Sequence, residues 1–217
     1  MHRVAAIMTT PRHEIVIARN YIEQAMRSAG VPLSVVGGVF YGQCMQRALN
    51  RLIADGVDLA ITVDFDSMFT GSDVSTLLER MVSLKLDALA AIQCRRGSGV
   101  LLASGESGSA STNGQPFKVD TAHFGLTVIN LNKLAAVEKP WFYASPDKNG
   151  DWNGEHTDPD VWFWRQWAKA GNNLYIDPSV KIGHLEEMVT AFNDKMVLEH
   201  VYPDQWATEK FKELKGV

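Results

Sequence analysis

The chain has 217 residues, 46% hydrophobic and 21% charged, with a formal net charge of −4. That suits one well-buried soluble domain and leaves too little chain for two large ones. The charge offers no global basic field for nucleic acid, though a local patch stays open, and the lone pair Cys44 and Cys94 argues against a disulfide framework or structural zinc site.

In chain order, the first half alternates two periodicities. Residues 4–8 read as a strand, 13–28 as a helix ended by Gly30, and 33–36 as a second strand closed by a Gly37-Gly38 turn. Residues 43–54 then form a helix stopped near Gly56, and 59–63 a third strand. Strand-helix-strand-helix-strand with short connections predicts parallel pairing and right-handed crossovers. No Gly-x-Gly-x-x-Gly follows the first strand, which disfavours an ordinary dinucleotide dehydrogenase. A helix capped by Ser72 or Asp73 is expected to run to about residue 84, followed by a strand at 87–93. Residues 95–116 are Gly- and Ser-rich and read either as a solvated loop or as a lid.

The second half predicts a strand at 123–129, helices at 133–138 and 158–170, and short strands at 174–176 and 180–182. Helical segments broken by Pro203 are expected from residue 189 onward, ending in a mixed-charge, solvated terminal helix. The whole is expected to be one domain in three stretches: a first half (1–93), a second half (94–188) and a C-terminal helical segment (189–217). The N-terminal apolar run is too short for a signal-peptide core and no stretch approaches a membrane span, so a cytoplasmic setting without a stable membrane anchor is expected.

Asp64-Phe65-Asp66 ends the third strand. Residues i and i+2 of extended backbone project to one side, so both carboxylates can converge on a hard cation such as Mg²⁺ or Mn²⁺, which in turn binds diphosphate. In open α/β sheets ligands sit outside the carboxyl ends of strands. Taken alone, the tripeptide is also an ordinary turn signal.

Further motifs follow in order: Phe124-Gly125-Leu126-Thr127-Val128-Ile129, Pro140-Trp141-Phe142, Asp160-Val161-Trp162-Phe163-Trp164, and the run from Ala170-Gly171 through Leu174-Tyr175-Ile176-Asp177-Pro178-Ser179-Val180-Lys181-Ile182-Gly183-His184. In that order they resemble a GT-A-fold, family-2-like glycosyltransferase across roughly residues 4–186. The resemblance implies a single Rossmann-like α/β domain with a mostly parallel central sheet flanked by helices. It also implies a nucleotide-diphosphate sugar donor and Mn²⁺ or Mg²⁺.

Carried onto this chain, Asp66 would be the principal metal ligand and His184 would complete the site, with Asp64 on the ribose or the metal's water shell. Thr9, Thr10 and Arg12 would hold the nucleobase and ribose. His123 and Gly125 would line the donor-sugar pocket, small Gly125 leaving room for the sugar. Asp160 would be the base that deprotonates the acceptor, with Asp158 in reserve. The family usually places Glu before that Asp, whereas Pro159 stands here. That leaves the alternative that Asp158 caps the helix and Asp160 merely occupies its first turn. Related enzymes also carry adjacent Arg-Asn before the Asp-x-Asp strand; this chain has Leu49-Asn50, and Arg47 reads as a solvated helix residue.

Helical spacing puts Trp164 and Trp167 in the core, while Trp141 and Trp162 are candidates to border the acceptor. The acceptor stays open among glycan, protein, small molecule, lipid head group and modified nucleic-acid base. Two other readings remain: a nucleotidyltransferase, and a noncatalytic nucleotide-sugar- or glycan-binding domain.

Overall fold

The computed structural model describes residues 2–11, 14–105, 114–152, 156–193, 195–203 and 205–208. Its elements are β1 (Val4–Thr10), α1 (Val16–Ser28), β2 (Leu33–Gly37), α2 (Tyr41–Ala54), β3 (Leu59–Asp64), β4 (Ser67–Met68) and α3 (Gly71–Ser83). They continue with β5 (Ala88–Ile92), β6 (Ala103–Ser104), β7 (Phe117–Val119), β8 (Thr121–Ala122), β9 (Leu126–Asn130), α4 (Leu131–Leu134) and α5 (Pro159–Lys169). The last are β10 (Leu174–Lys181), β11 (Gly183–His184), β12 (Val189–Phe192) and β13 (Leu198–Val201). The chain divides into two units, Met1–His184 and Leu185–Val217.

In the first unit a seven-stranded sheet runs β2-β1-β3-β9-β5-β10-β7. β1, β2 and β3 are mutually parallel, β10 is parallel to β5, and β9 runs antiparallel to both β3 and β5. With β7 antiparallel at the edge, five strands point one way, as the mostly parallel expectation has it. β9 is therefore inserted in reverse between the two parallel groups.

The strands partition their side chains by alternation. Ile7, Ala60, Ala88 and Ala90 pack with Met45, Leu49 and Leu52 of α2, Leu131 and Leu134 of α4, and Phe163, Trp164 and Trp167 of α5. Their sequence neighbours Ala6, Met8, Leu59, Ile61, Val63 and Leu89 pack on the other face with Ile22 and Met26 of α1 and Val74, Leu77 and Met81 of α3. A sheet covered on both faces needs apolar residues at both parities, which is why these strands read as continuous apolar runs.

Several local expectations are corrected. The cap of α3 is Thr70, whose hydroxyl accepts from the Asp73 amide while the Asp73 carboxylate accepts from the Thr70 amide, a reciprocal capping box. The two short strands predicted at 174–176 and 180–182 form one strand, β10, with an irregular register between Asp177 and Lys181. There Asp177 accepts from the Ser179 amide and hydroxyl and meets Arg80 Nε at 2.7 Å.

The second unit contains a hairpin, β12 against β13, where a helix was expected. Val189-Thr190-Ala191-Phe192 is partly β-branched, and Asn193 organises the turn by accepting from the Lys195 and Val197 amides. Helical turns occur only at residue 203 and residues 205–208 of the described part. The terminal helix expected from residue 209 lies outside the described residues. Among the described residues, no helix is long and apolar enough to cross a membrane.

Candidate active site

β1, β2, β3, β5 and β10 all deliver their carboxyl ends to one edge of the sheet, and reversed β9 begins there. Register brings Thr9 of β1 opposite Asp64 of β3. The short pair β4–β11 then sets His184 opposite Ser67, one residue beyond Asp66. Asp66 and His184, remote in sequence, thus meet.

His184 Nε2 lies 3.4 Å from Asp66 Oδ2. Two atoms ligating one ion at ~2.1 Å would stand roughly 3.0–3.5 Å apart, so this pair has the spacing of shared cation ligands. The imidazole is also presented correctly. Its Nδ1–H donates to the Cys94 carbonyl at 3.2 Å, leaving the Nε2 lone pair aimed at the site, as a metal-binding histidine requires. Asp66 is only 2% exposed, and a carboxylate so buried needs a positive partner. Arg96 provides one: its guanidinium contacts Asp66 Oδ2, and its Nε donates to His184 Nε2 at 3.1 Å. Among the described residues no three His, Cys, Asp or Glu side chains converge as a metal site.

Asp64 lines a pocket of about 190 Å³ with Thr9, Thr10, Gly38, Tyr41 and Phe65. Burial and, secondarily, nearby Asp160 push the Asp64 carboxyl up to about 7, against the opposing pull of Arg96. Asp160 is itself raised, chiefly by burial and secondarily by Asp158. Tyr41 is held well above its ordinary value by burial and by the fields of Asp64 and Asp160. These groups share one electrostatic neighbourhood, so α5 does bring its first-turn carboxylate to the Asp-x-Asp strand. Asp158 makes no side-chain cap; its carboxylate meets His156 Nε2 at 2.9 Å. Arg12 lies outside the described residues.

His123 and Gly125 serve the scaffold. The buried His123 ring donates from Nε2 to the Ala91 carbonyl at 2.8 Å and accepts the Gly125 amide at Nδ1 at 2.9 Å. Burial lowers its value to about 4. With both nitrogens engaged by backbone, it does not face a donor, contrary to expectation. A Cβ at Gly125 would stand 2.6 Å from Gln93 Oε1 and 2.7 Å from Ser67 Oγ. The space beside this glycine is filled by the protein, and the expectation of room for a sugar is corrected accordingly. Buried Gln93 in turn donates to Ser67 Oγ and to the Gly183 carbonyl, tying the Asp66 loop to the His184 strand.

The tryptophans separate. Trp141 is 1% exposed and packs in the core, its indole donating to the Val137 carbonyl, so it cannot border an acceptor. Trp162 is partly exposed, donates to the Pro140 carbonyl and meets exposed Tyr143 edge-on at 5.2 Å. Trp164 and Trp167 are core residues, as expected. Arg96, Gln93 and Ser67 were not singled out from sequence. The available signal for Arg96 was Arg95-Arg96-Gly97 directly beyond a strand's carboxyl end.

Two solved structures share the architecture. A197 from STIV matches with a TM-score of 0.61 at 13% identity, covering 92% of this chain and 94% of that chain. GalNAc-T7, crystallised with UDP, GalNAc and Mn²⁺, matches with a TM-score of 0.52 at 11% identity, covering 85% of this chain and 43% of that chain. No family model matches the sequence, and neither does any curated protein. The chain has a GT-A-like fold.

Proposed function

We propose that this chain is a family-2-like glycosyltransferase that moves a sugar from a nucleotide-diphosphate sugar to an acceptor hydroxyl, with Mn²⁺ or Mg²⁺ held by Asp66 and His184. The observation that carries this reading is the approach of His184 Nε2 to Asp66 Oδ2 at 3.4 Å, at the sheet edge where open α/β folds bind ligands. The GT-A-like fold supports it, and one neighbour of that fold was crystallised with UDP and Mn²⁺.

Bound there, a divalent cation would supply charge stabilisation for the departing diphosphate. The chain's residues perform the remaining tasks. Thr9 and Thr10 line the pocket assigned to the nucleobase and ribose, and Asp64 adds a carboxylate to that lining. Asp160 takes the acceptor's proton as its oxygen attacks the anomeric carbon. Its raised value makes it a stronger base than a solvated aspartate. Asp160 is preferred to Asp158, which is exposed and hydrogen-bonded to His156. Trp162, beside Tyr143, is the acceptor-side candidate.

The test is release of nucleoside diphosphate from a panel of nucleotide sugars, with and without acceptors. The wild type should consume a donor only with Mn²⁺ or Mg²⁺. Asp66→Ala and His184→Ala should abolish consumption, while Asp160→Asn should bind donor and fail in transfer. Intact metal-dependent turnover in both Asp66→Ala and His184→Ala would overturn the assignment. Donor binding without consumption would identify a noncatalytic binding domain.

A further inference from the structure

We propose that the Arg96 guanidinium is the resident cation of the Asp66–His184 pair, and that a divalent metal enters only by displacing it. This rests on the metal site proposed above and adds an element that neither the Asp-x-Asp motif nor the fold supplies.

The contacts make the competition direct. Asp66 Oδ2 and His184 Nε2 are the two atoms a metal would use, and Arg96 engages both of them. The imidazole lone pair that receives the Arg96 Nε–H is the one a metal must take, because Nδ1–H is committed to Cys94. One lone pair cannot serve both cations at once. Arg96 also compensates Asp66, whose burial would otherwise leave an unpaired charge at large cost.

Arg96 is built to leave. It occupies the second position of a turn closed by the Ser98 amide on the Arg95 carbonyl, with Gly97 at φ 64° in the third position, as a type II turn requires. The turn is held by Arg95 N–H to the Val100 carbonyl and Leu102 N–H to the Gln93 carbonyl. Its backbone anchorage therefore does not depend on the Arg96 side chain. That side chain is 55% exposed, so its head can swing outward without the turn unfolding. Displaced, it remains at the mouth of the site, where a diphosphate would need further positive charge.

The experiment is Mn²⁺ binding to the full chain without nucleotide, followed by electron paramagnetic resonance of free Mn²⁺, for wild type, Arg96→Ala and Arg96→Lys. Removing a competitor that donates to charged and basic groups should tighten Mn²⁺ binding about tenfold in Arg96→Ala. Lysine, a single point charge without the planar fork, should give an intermediate affinity. Thermal unfolding supplies a second readout. In EDTA, Arg96→Ala should melt below wild type because Asp66 has lost its partner, and Mn²⁺ should raise its midpoint more than it raises that of wild type.

Equal or weaker Mn²⁺ binding by Arg96→Ala, in a variant that still unfolds cooperatively, overturns the competition and leaves the metal site standing. Should Arg96→Ala fail to fold, Arg96→Lys decides: affinity at or below wild type overturns the proposal. Absence of Mn²⁺ binding by every form overturns both the proposal and the metal site, and donor consumption in EDTA then shows whether the transferase reading survives.

Discussion

At Asp64, a carboxyl with a folded value near 7, against an ordinary 3.8, is costly to ionise inside the protein. The folded state holds the proton more tightly than the unfolded chain. The contribution of Asp64 to stability without ligand should therefore fall as pH rises from about 4 to about 7 and level off above. Asp64→Asn removes that cost, so its melting point should exceed the wild type's by more at pH 8 than at pH 5, while activity is lost. A constant offset across that range would argue against a buried, titrating Asp64.

His123 carries the opposite sign. Its folded value near 4, below the ordinary 6.5, makes the neutral ring the stabilising form. That contribution is complete above about pH 6.5 and disappears as pH falls toward 4. His123→Gln should flatten this acid limb in a series of melts between pH 4 and 7. Gly125→Ala should be strongly destabilising, because its methyl would meet Gln93 and Ser67 well inside contact distance.

Elements show where local chemistry suffices and where it does not. Thr70→Ala removes the cap of α3 and should cost about 1 kcal/mol in urea unfolding, without altering Mn²⁺ affinity. β1 to β3 and their helices were legible because their boundaries and apolar runs are local properties. The capping box was missed by two residues because Ser72 and Asp73 also look like caps, and only the amide partners distinguish them.

The hairpin of β12 and β13 escaped notice because its strands are only four residues each, too short for an alternation to declare itself, and pairing across Asn193 is what makes them strands. The reversed pairing of β9 has no local signature either: an apolar run does not state its direction. That reversal is what brings His123 and Gly125 to the carboxyl edge. The same holds for Arg96, whose importance lies in a contact with His184, far away in sequence. Asp66 and His184 were legible as types of ligand through a resemblance; their meeting is a property of β4 pairing with β11.

At the scale of the molecule, two aromatics from one expectation separate by environment. Trp141→Ala opens a large cavity in the core cluster that Trp141 shares with Met45, Leu49 and Leu52 and should cost about 3–5 kcal/mol of stability. Trp162→Ala should shift the unfolding midpoint far less and should change acceptor affinity more than donor affinity. Equal destabilisation by both would contradict the partition of the tryptophans between core and surface.

The GT-A-like fold gathers one strand end after another at a single sheet edge, and we propose that Asp66 and His184 there hold a cation for a nucleoside diphosphate. Calorimetric titration of a nucleoside diphosphate panel into wild type and His184→Ala, each with Mn²⁺ and with EDTA, tests this most directly. The expected result is binding by wild type that requires Mn²⁺ and is lost in His184→Ala. Binding of equal strength in EDTA, undisturbed by His184→Ala, would contradict it.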